Sequence, residues 1–226
     1  MNTTLSYGSS TSQVADLHLP DADRPPVVCL LHGGFWRVPY GRDELTAMAE
    51  DLALSGFAVW NIEYRRVGEA GGGWPGTLQD VADAIDRLAQ LSRDHVRLDL
   101  DRVALVGHSA GGQLALAAAA GAQGVGARVA PRRVRPIAVA GLAALTDLDL
   151  AYRLDCGNGA VKELIGGTPD EFTDRYDNAS PLRLLPLRIA QLIVHGTADT
   201  VVPVEMARHY VDAATGAGDT VYYVER

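Results

Sequence analysis

The sequence has few cysteines and no long apolar run, and both absences limit what the protein can be. Its two cysteines, Cys29 and Cys156, form neither a disulfide framework nor the ligand spacing of a metal site, so no metal is expected. No stretch reaches the roughly 18 consecutive apolar residues of a membrane span. Residues 1–12 are polar and lack the apolar core of a signal peptide. We therefore expect a cytoplasmic protein that does not enter a membrane.

Positive charge is also scarce. The formal net charge is −8 at pH 7, and binding of nucleic acid requires a basic face that neutralises phosphates. One short basic cluster is present, at Arg132, Arg133 and Arg135, and so short a run is typical of a solvated loop. We therefore expect no nucleic acid partner, and we look for a small-molecule substrate.

Short β-rich segments alternate with helical ones along the chain, which is typical of an α/β fold with a mostly parallel sheet and helices on both faces. With 226 residues, and neither a repeat nor a linker, residues 1–226 are expected to form one domain. The predicted strands cover residues 14–19, 27–31, 58–64, 102–106, 137–145, 191–194 and 221–224. The predicted helices cover residues 42–54, 77–92, 110–120 and 203–214. Residues 147–186 are predicted to be irregular apart from a short helix at 161–165, and 148–185 to form a short cap-like insertion.

The strongest chemical signal is Gly107-His108-Ser109-Ala110-Gly111, between an apolar strand and an alanine-rich helix. It matches the G-x-S-x-G nucleophile elbow of α/β-hydrolases, in which a serine stands exposed on a tight strand-to-helix turn. The glycines relieve the crowding of that turn. The following helix directs its N-terminus, and so its free N–H groups, at developing negative charge. Ser109 is therefore the predicted nucleophile.

A second signal is His32-Gly33-Gly34-Phe35-Trp36, directly after the predicted strand 27–31. Acyl transfer passes through an oxyanion that needs waiting N–H donors, and loss of one donor costs about 10²–10³ in rate. We predict Gly34 and Phe35 as donors, with Gly33 shaping the loop and His32 bracing it. The N–H of Ala110, which follows the nucleophile, is the predicted donor from the other side.

A third signal is His195-Gly196-Thr197-Ala198-Asp199, which follows the strand 191–194. An acid here comes after the nucleophile in the chain, as the order Ser…Asp…His of this fold requires. Its role would be to orient an imidazole and stabilise its charged form. Asp199 is the predicted acid. Asp147 and Asp149 are the alternatives, and surface or helix-capping roles are expected for them.

These motifs, together with Asn61-Ile62-Glu63-Tyr64-Arg65 and Ala179-Ser180-Pro181-Leu182, resemble the esterase/arylformamidase branch of the α/β-hydrolase superfamily. That branch includes kynurenine formamidase-like and feruloyl-esterase-like proteins and is similar to prolyl-oligopeptidase-type catalytic domains. The likeness runs from about residue 14 to the C-terminus. It implies hydrolysis of carboxylic esters or aryl formamides through an acyl-enzyme, without a cofactor.

The resemblance places the catalytic histidine in a loop after the last strand, yet the sequence ends at Arg226. We expect the C-terminal end to be truncated, with natural loss of the base as the alternative, and in either case a very poor enzyme. His108 is expected to point away from the site, and His195 or His209 is a weak substitute base. The uncovered face of the sheet would favour lower stability or a homodimer.

Phe35, Trp36 and Trp74 are the predicted walls of the substrate pocket, with packing beneath the loops as the alternative for each. A cap of the length of 148–185 leaves the site open, which suits a small acyl group such as acetyl or formyl. Two other functions stay open. One is a dipeptidyl-peptidase-like hydrolase, which would normally need a further domain. The other is a catalytically impaired protein of this fold that binds a small ligand.

Overall fold

The computed structural model describes residues 2–94, 97–122 and 133–226. In these ranges eight strands form one sheet in the order β1-β2-β4-β3-β5-β6-β7-β8. β1 and β2 are antiparallel to their neighbours, and β3 to β8 run parallel. The strands are β1 (Asn2–Ser6), β2 (Val14–His18), β3 (Pro26–Leu31), β4 (Ala58–Ile62), β5 (Asp99–His108), β6 (Ala138–Leu142), β7 (Ala190–His195) and β8 (Val221–Glu225).

Helices lie on both faces of this sheet. The strand β3 shows why, because its side chains alternate between two apolar layers. Val28 and Leu30 pack with Ala49 on one face, whereas Cys29 and Leu31 join the larger layer on the other. The helices are α1 (Thr46–Leu54), α2 (Gly76–Asp94), α3 (Ala110–Ala122), α4 (Leu148–Arg153), α5 (Ala160–Ile165), α6 (Thr173–Ala179) and α7 (Val204–Gly216). No helix in the described ranges is both long and apolar enough to cross a bilayer.

The seven strands predicted from the sequence are all present, with ends shifted by up to three residues. The sequence missed β1, because Asn2–Ser6 is polar and mostly exposed and is held by its pairing with β2. The short helix predicted at 161–165 is confirmed as α5. The prediction that the rest of residues 147–186 is irregular is wrong, because this segment also contains α4, α6 and a 3₁₀ turn at Pro181–Leu184. Of the residues singled out above, Arg132 lies outside the described ranges.

The turn from β5 into α3 is crowded against the end of β3. A Cβ atom on Gly111 would lie 2.1 Å from the Leu31 carbonyl oxygen, and one on Gly107 would lie 2.1 Å from the Gly111 carbonyl oxygen. Ser109 stands between the two glycines at φ +52°, a conformation that L-residues rarely adopt. The turn is thus held by backbone contacts that leave no room for side chains on either side of Ser109.

A buried carboxylate ties the end of β4 to the loop that follows β3. Glu63 Oε1 lies 2.8 Å from His32 Nε2 and accepts the Tyr64 N–H, while Oε2 accepts the Arg42 N–H. Tyr64 stacks on the His32 ring with centroids 4.3 Å apart and donates its hydroxyl to the His32 carbonyl oxygen at 2.9 Å. The Arg66 guanidinium lies 3.7 Å from the same carboxylate. The predicted bracing role of His32 is confirmed.

Substitution of the elbow glycine tests the crowding directly. Gly111→Ala is expected to lower the free energy of unfolding by at least about 3 kcal/mol, since the methyl group collides with backbone that cannot move aside. The matched control is Gly121→Ala in the same helix, where an added Cβ meets no described atom within 4 Å. That change should raise stability by up to about 1 kcal/mol. Urea unfolding measures both, and equal effects would contradict the packing described.

Glu63 should give stability a defined pH dependence. Burial raises its pKa, but the hydrogen bond and charge of His32, the Tyr64 N–H and the Arg66 charge together bring that pKa below the ordinary value of 4.5. A lowered pKa in the folded state stabilises above the unfolded value and is lost as pH falls through the folded one. Glu63→Gln is therefore expected to cost about 1–3 kcal/mol near neutral pH.

The loss of stability caused by Glu63→Gln should shrink as pH falls from about 5 to about 3, because the Glu63 carboxyl of the parent protein then becomes neutral too. Urea unfolding across this range measures the difference. Glu50→Gln, on the exposed face of α1, is the control and should follow the parent throughout. A Glu63→Gln deficit that stays constant with pH would show that the charge of Glu63 does not matter.

Candidate active site

Three loops meet at the carboxyl ends of β3, β5 and β7. Ser109 leaves β5 half-buried, and a Cβ on Gly33 would lie 3.2 Å from its Cβ atom and 2.9 Å from His108 Nδ1. The first two predicted motifs are therefore in contact. The prediction that His108 points away from the site is wrong, because its ring lies beside Gly33.

The loop after β3 has an unusual backbone. Gly34, Phe35 and Trp36 all adopt positive φ, at +87°, +51° and +57°, and such successive residues can present their N–H groups to an anion. Gly34 also needs to lack a side chain, since a Cβ there would lie 2.1 Å from the Cβ of Tyr40. Across from this loop, Ala110 is the first residue of α3, so its N–H has no partner within the helix.

The Asp199 carboxylate is built into the loop after β7. Its Oδ1 accepts the N–H groups of Val201 at 2.8 Å and Val202 at 2.9 Å. Burial raises the Asp199 pKa, but these two N–H groups and the charges of His195 and His108 outweigh burial and leave that pKa below its ordinary value. The half-buried side chain is therefore ionised at neutral pH, as an orienting carboxylate must be.

The alternative acids have structural roles. Asp147 caps α4, accepting the N–H groups of Asp149 at 3.0 Å and Leu150 at 3.1 Å. Asp149 forms an ion pair with Arg183 at 2.7 Å. The helix-capping role expected for Asp147 is confirmed, and Asp149 is an ion-pair partner.

Several of the described histidines are committed elsewhere. His195 is fully buried, with Nε2 2.8 Å from the Val202 carbonyl oxygen and 3.4 Å from Asp199 Oδ2. His32 belongs to the Glu63 network, and His18 is buried in β2. His209 is exposed on α7, outside the three loops. Only His108, within the described ranges, presents an exposed imidazole on the elbow itself.

The three aromatic residues predicted to line the pocket differ in their surroundings. Trp36 is fully buried, and its indole N–H donates to Gln113 Oε1 at 3.0 Å. It has no surface to offer a ligand, so its assignment to the pocket wall is wrong and the packing alternative holds. Trp74 and Phe35 are half-buried and keep part of their surface available. The backbone N–H of Trp74 donates to the Leu164 carbonyl oxygen at 2.7 Å.

One further element was not predicted by any sequence signal: the turn at residues 155–159, hereafter the 155–159 turn. Arg37, one residue beyond the loop with positive φ, donates to the carbonyl oxygens of Gly157 at 2.7 Å and Asn158 at 2.9 Å. The Phe35 ring lies directly against Gly157. This turn belongs to the 148–185 segment and contacts the loop from outside.

One curated protein is similar to most of this chain. Esterase LipC of Mycobacterium tuberculosis (strain ATCC 25618 / H37Rv) is 26% identical over 219 residues, which are 91% of this chain and 53% of that protein. The chain thus spans about half the length of this curated relative.

Two solved structures show the same fold. A bifunctional GH43-CE protein of Bacteroides eggerthii superposes with a TM-score of 0.82 at 24% identity, covering 97% of this chain and 34% of that one. Esterase B from Lactobacillus rhamnosis, inhibited by a tributyrin phosphonate, gives 0.83 at 22%, covering 100% and 74%. The predicted α/β-hydrolase fold is confirmed. The BD-FAE family model matches residues 15–213, most of the chain, and the chain belongs to the BD-FAE family.

Proposed function

We propose that the protein is a serine hydrolase that cleaves small carboxylic esters through an acyl-enzyme on Ser109. The observation that carries this proposal is the position of Ser109. It is held at φ +52° at the carboxyl end of β5, with its Cβ against Gly33 of the neighbouring loop and the N-terminus of α3 behind it. A nucleophile and two sources of N–H donors thus converge on one point.

In the proposed reaction the Ser109 hydroxyl oxygen attacks the ester carbonyl carbon while its proton passes to an imidazole. The carbonyl oxygen becomes an oxyanion held by the N–H groups of Ala110, Gly34 and Phe35, with Gly33 shaping the loop. The C–O bond to the alcohol then breaks, and the alcohol leaves with the proton. Water repeats the sequence on the acyl-enzyme, releasing the acid and restoring Ser109.

Asp199 is the proposed orienting carboxylate for that imidazole. The resemblance places the imidazole after the last strand, and β8 ends beside the Asp199 loop. There the Arg226 N–H donates to the His195 carbonyl oxygen at 3.0 Å, and the Arg226 carbonyl oxygen accepts the Thr197 N–H at 2.5 Å. An imidazole that follows β8 would therefore reach Asp199 directly. Within the described residues, His108 is an exposed imidazole that lies beside Gly33.

The substrate class is proposed from the relatives and from the size of the cap. The curated relative is named an esterase, which supports an ester over an amide. The 148–185 segment folds as short helices, and its 155–159 turn contacts the loop after β3. A cap of this size suits a small acyl group. The aryl formamides implied by the resemblance carry the smallest acyl group, and they belong in the same assay as aryl acetates.

A fluorophosphonate probe tests the nucleophile. We expect a covalent adduct on Ser109, located by mass spectrometry of peptides, and no adduct in Ser109→Ala. His209→Ala, on the exposed face of α7, should label like the parent. A protein that unfolds cooperatively in urea yet carries no adduct on Ser109 would contradict the proposal.

The acid is tested by exchanging each of two carboxylates for an amide. In a protein that labels through an imidazole held by Asp199, Asp199→Asn is expected to slow labelling of Ser109 by about 10²-fold or more, because a misoriented imidazole cannot take the serine proton. Asp149→Asn, the alternative acid, should leave the rate within about twofold of the parent, since an ion pair of this kind contributes little. Equal rates for the two variants would remove Asp199 from the mechanism.

A further inference from the structure

We propose that the 155–159 turn positions the Phe35 N–H donor, with Gly157 and Arg37 as positioning residues. The proposal rests on the proposed function, because it concerns the oxyanion donors of that site. It assigns a role to a segment that the three catalytic motifs do not include.

The first support is the set of hydrogen bonds made by Arg37. Its guanidinium donates to the carbonyl oxygens of Gly157 at 2.7 Å and Asn158 at 2.9 Å, and to Glu163 Oε2 at 2.6 Å. All three acceptors belong to the 148–185 segment. A planar guanidinium with three directed bonds fixes orientation as well as distance, so the loop after β3 is fastened to this segment two residues beyond Phe35.

The second support is the packing of Phe35. A Cβ on Gly157 would lie 2.4 to 2.7 Å from three atoms of the Phe35 ring, so the ring lies flush on the bare backbone of the turn. Phe35 and Trp36 hold positive φ without being glycine, and such conformations persist only where the surroundings impose them. The hydrogen bond to Gln113 imposes the backbone conformation of Trp36. Gly157 and Arg37 impose the conformation of Phe35.

Two glycines of the turn provide a matched pair of variants. Gly157 and Gly159 have nearly equal φ, +73° and +79°, so alanine imposes the same backbone strain at each. Only at 157 does the new methyl group meet the Phe35 ring, since a Cβ at 159 meets no described atom within 4 Å. Urea unfolding should show a loss of stability for both variants, larger for Gly157→Ala because its methyl group must also displace the Phe35 ring.

The readout is the rate of Ser109 labelling at saturating fluorophosphonate, with the half-saturation concentration measured alongside. Gly157→Ala should lower the saturated rate by about 10–10²-fold with little change in half-saturation, because a displaced donor is missed in the transition state. Gly159→Ala should stay within about threefold of the parent. Arg37→Met, which keeps length but removes the three donors, should also lower the saturated rate.

A double-mutant cycle identifies the route. In a Phe35→Ala background the added methyl group at 157 has no ring to displace, so Gly157→Ala should cause no further loss. If the parent labels on Ser109 but Gly157→Ala and Gly159→Ala have equal rates, the positioning role is wrong and the proposed function stands. If a folded parent does not label, the proposed function fails first.

Discussion

The carboxyl ends of β3 and β5 approach each other so closely that backbone meets backbone, and the rest of the site depends on this contact. A Cβ on Gly111 would lie 2.1 Å from the Leu31 carbonyl oxygen, and one on Gly33 would lie 3.2 Å from the Ser109 Cβ. Because glycine has only a hydrogen atom in place of a side chain, α3 can begin directly against the neighbouring strand. Ser109 and the loop that faces it are therefore adjacent because two parallel strands pair in register, before any side chain contributes.

Such a contact brings polar backbone into a dry region, and the surrounding side chains compensate. Glu63 and Tyr64 at the end of β4 bind the His32 ring and its carbonyl oxygen, and Gln113 of α3 binds the Trp36 indole. Each partner lies on an element already fixed by the sheet. A loop with three successive residues at positive φ is unfavourable alone, and here it is held from β4, from α3 and from the 148–185 segment.

How much of the fold and of the candidate site could be predicted depends on how local each sequence signal is. The apolar run before His32 and the glycines around Ser109 act within a few residues, so β3, β5 and the elbow could be predicted from the sequence. β1 could not, because Asn2–Ser6 has little apolar character and forms only by pairing with β2. The short helices α4 and α6 carry too few turns for a periodic pattern to emerge.

Errors within the site have a related cause. An aromatic residue after an oxyanion loop can face the substrate or the core, and the choice depends on φ at Phe35 and Trp36, which composition does not reveal. The structure turns Trp36 inward to Gln113 and leaves Phe35 on Gly157.

The 155–159 turn is likewise about 120 residues away from Arg37 in sequence. The contact between this turn and Arg37 arises only when the sheet has formed, because β3 and β6 then end at the same edge and the segments that follow them become neighbours. Local motifs indicated the residues that we propose bear the chemistry, whereas the residues that we propose position them are brought together by the fold, so a complete description of such a site requires the tertiary structure.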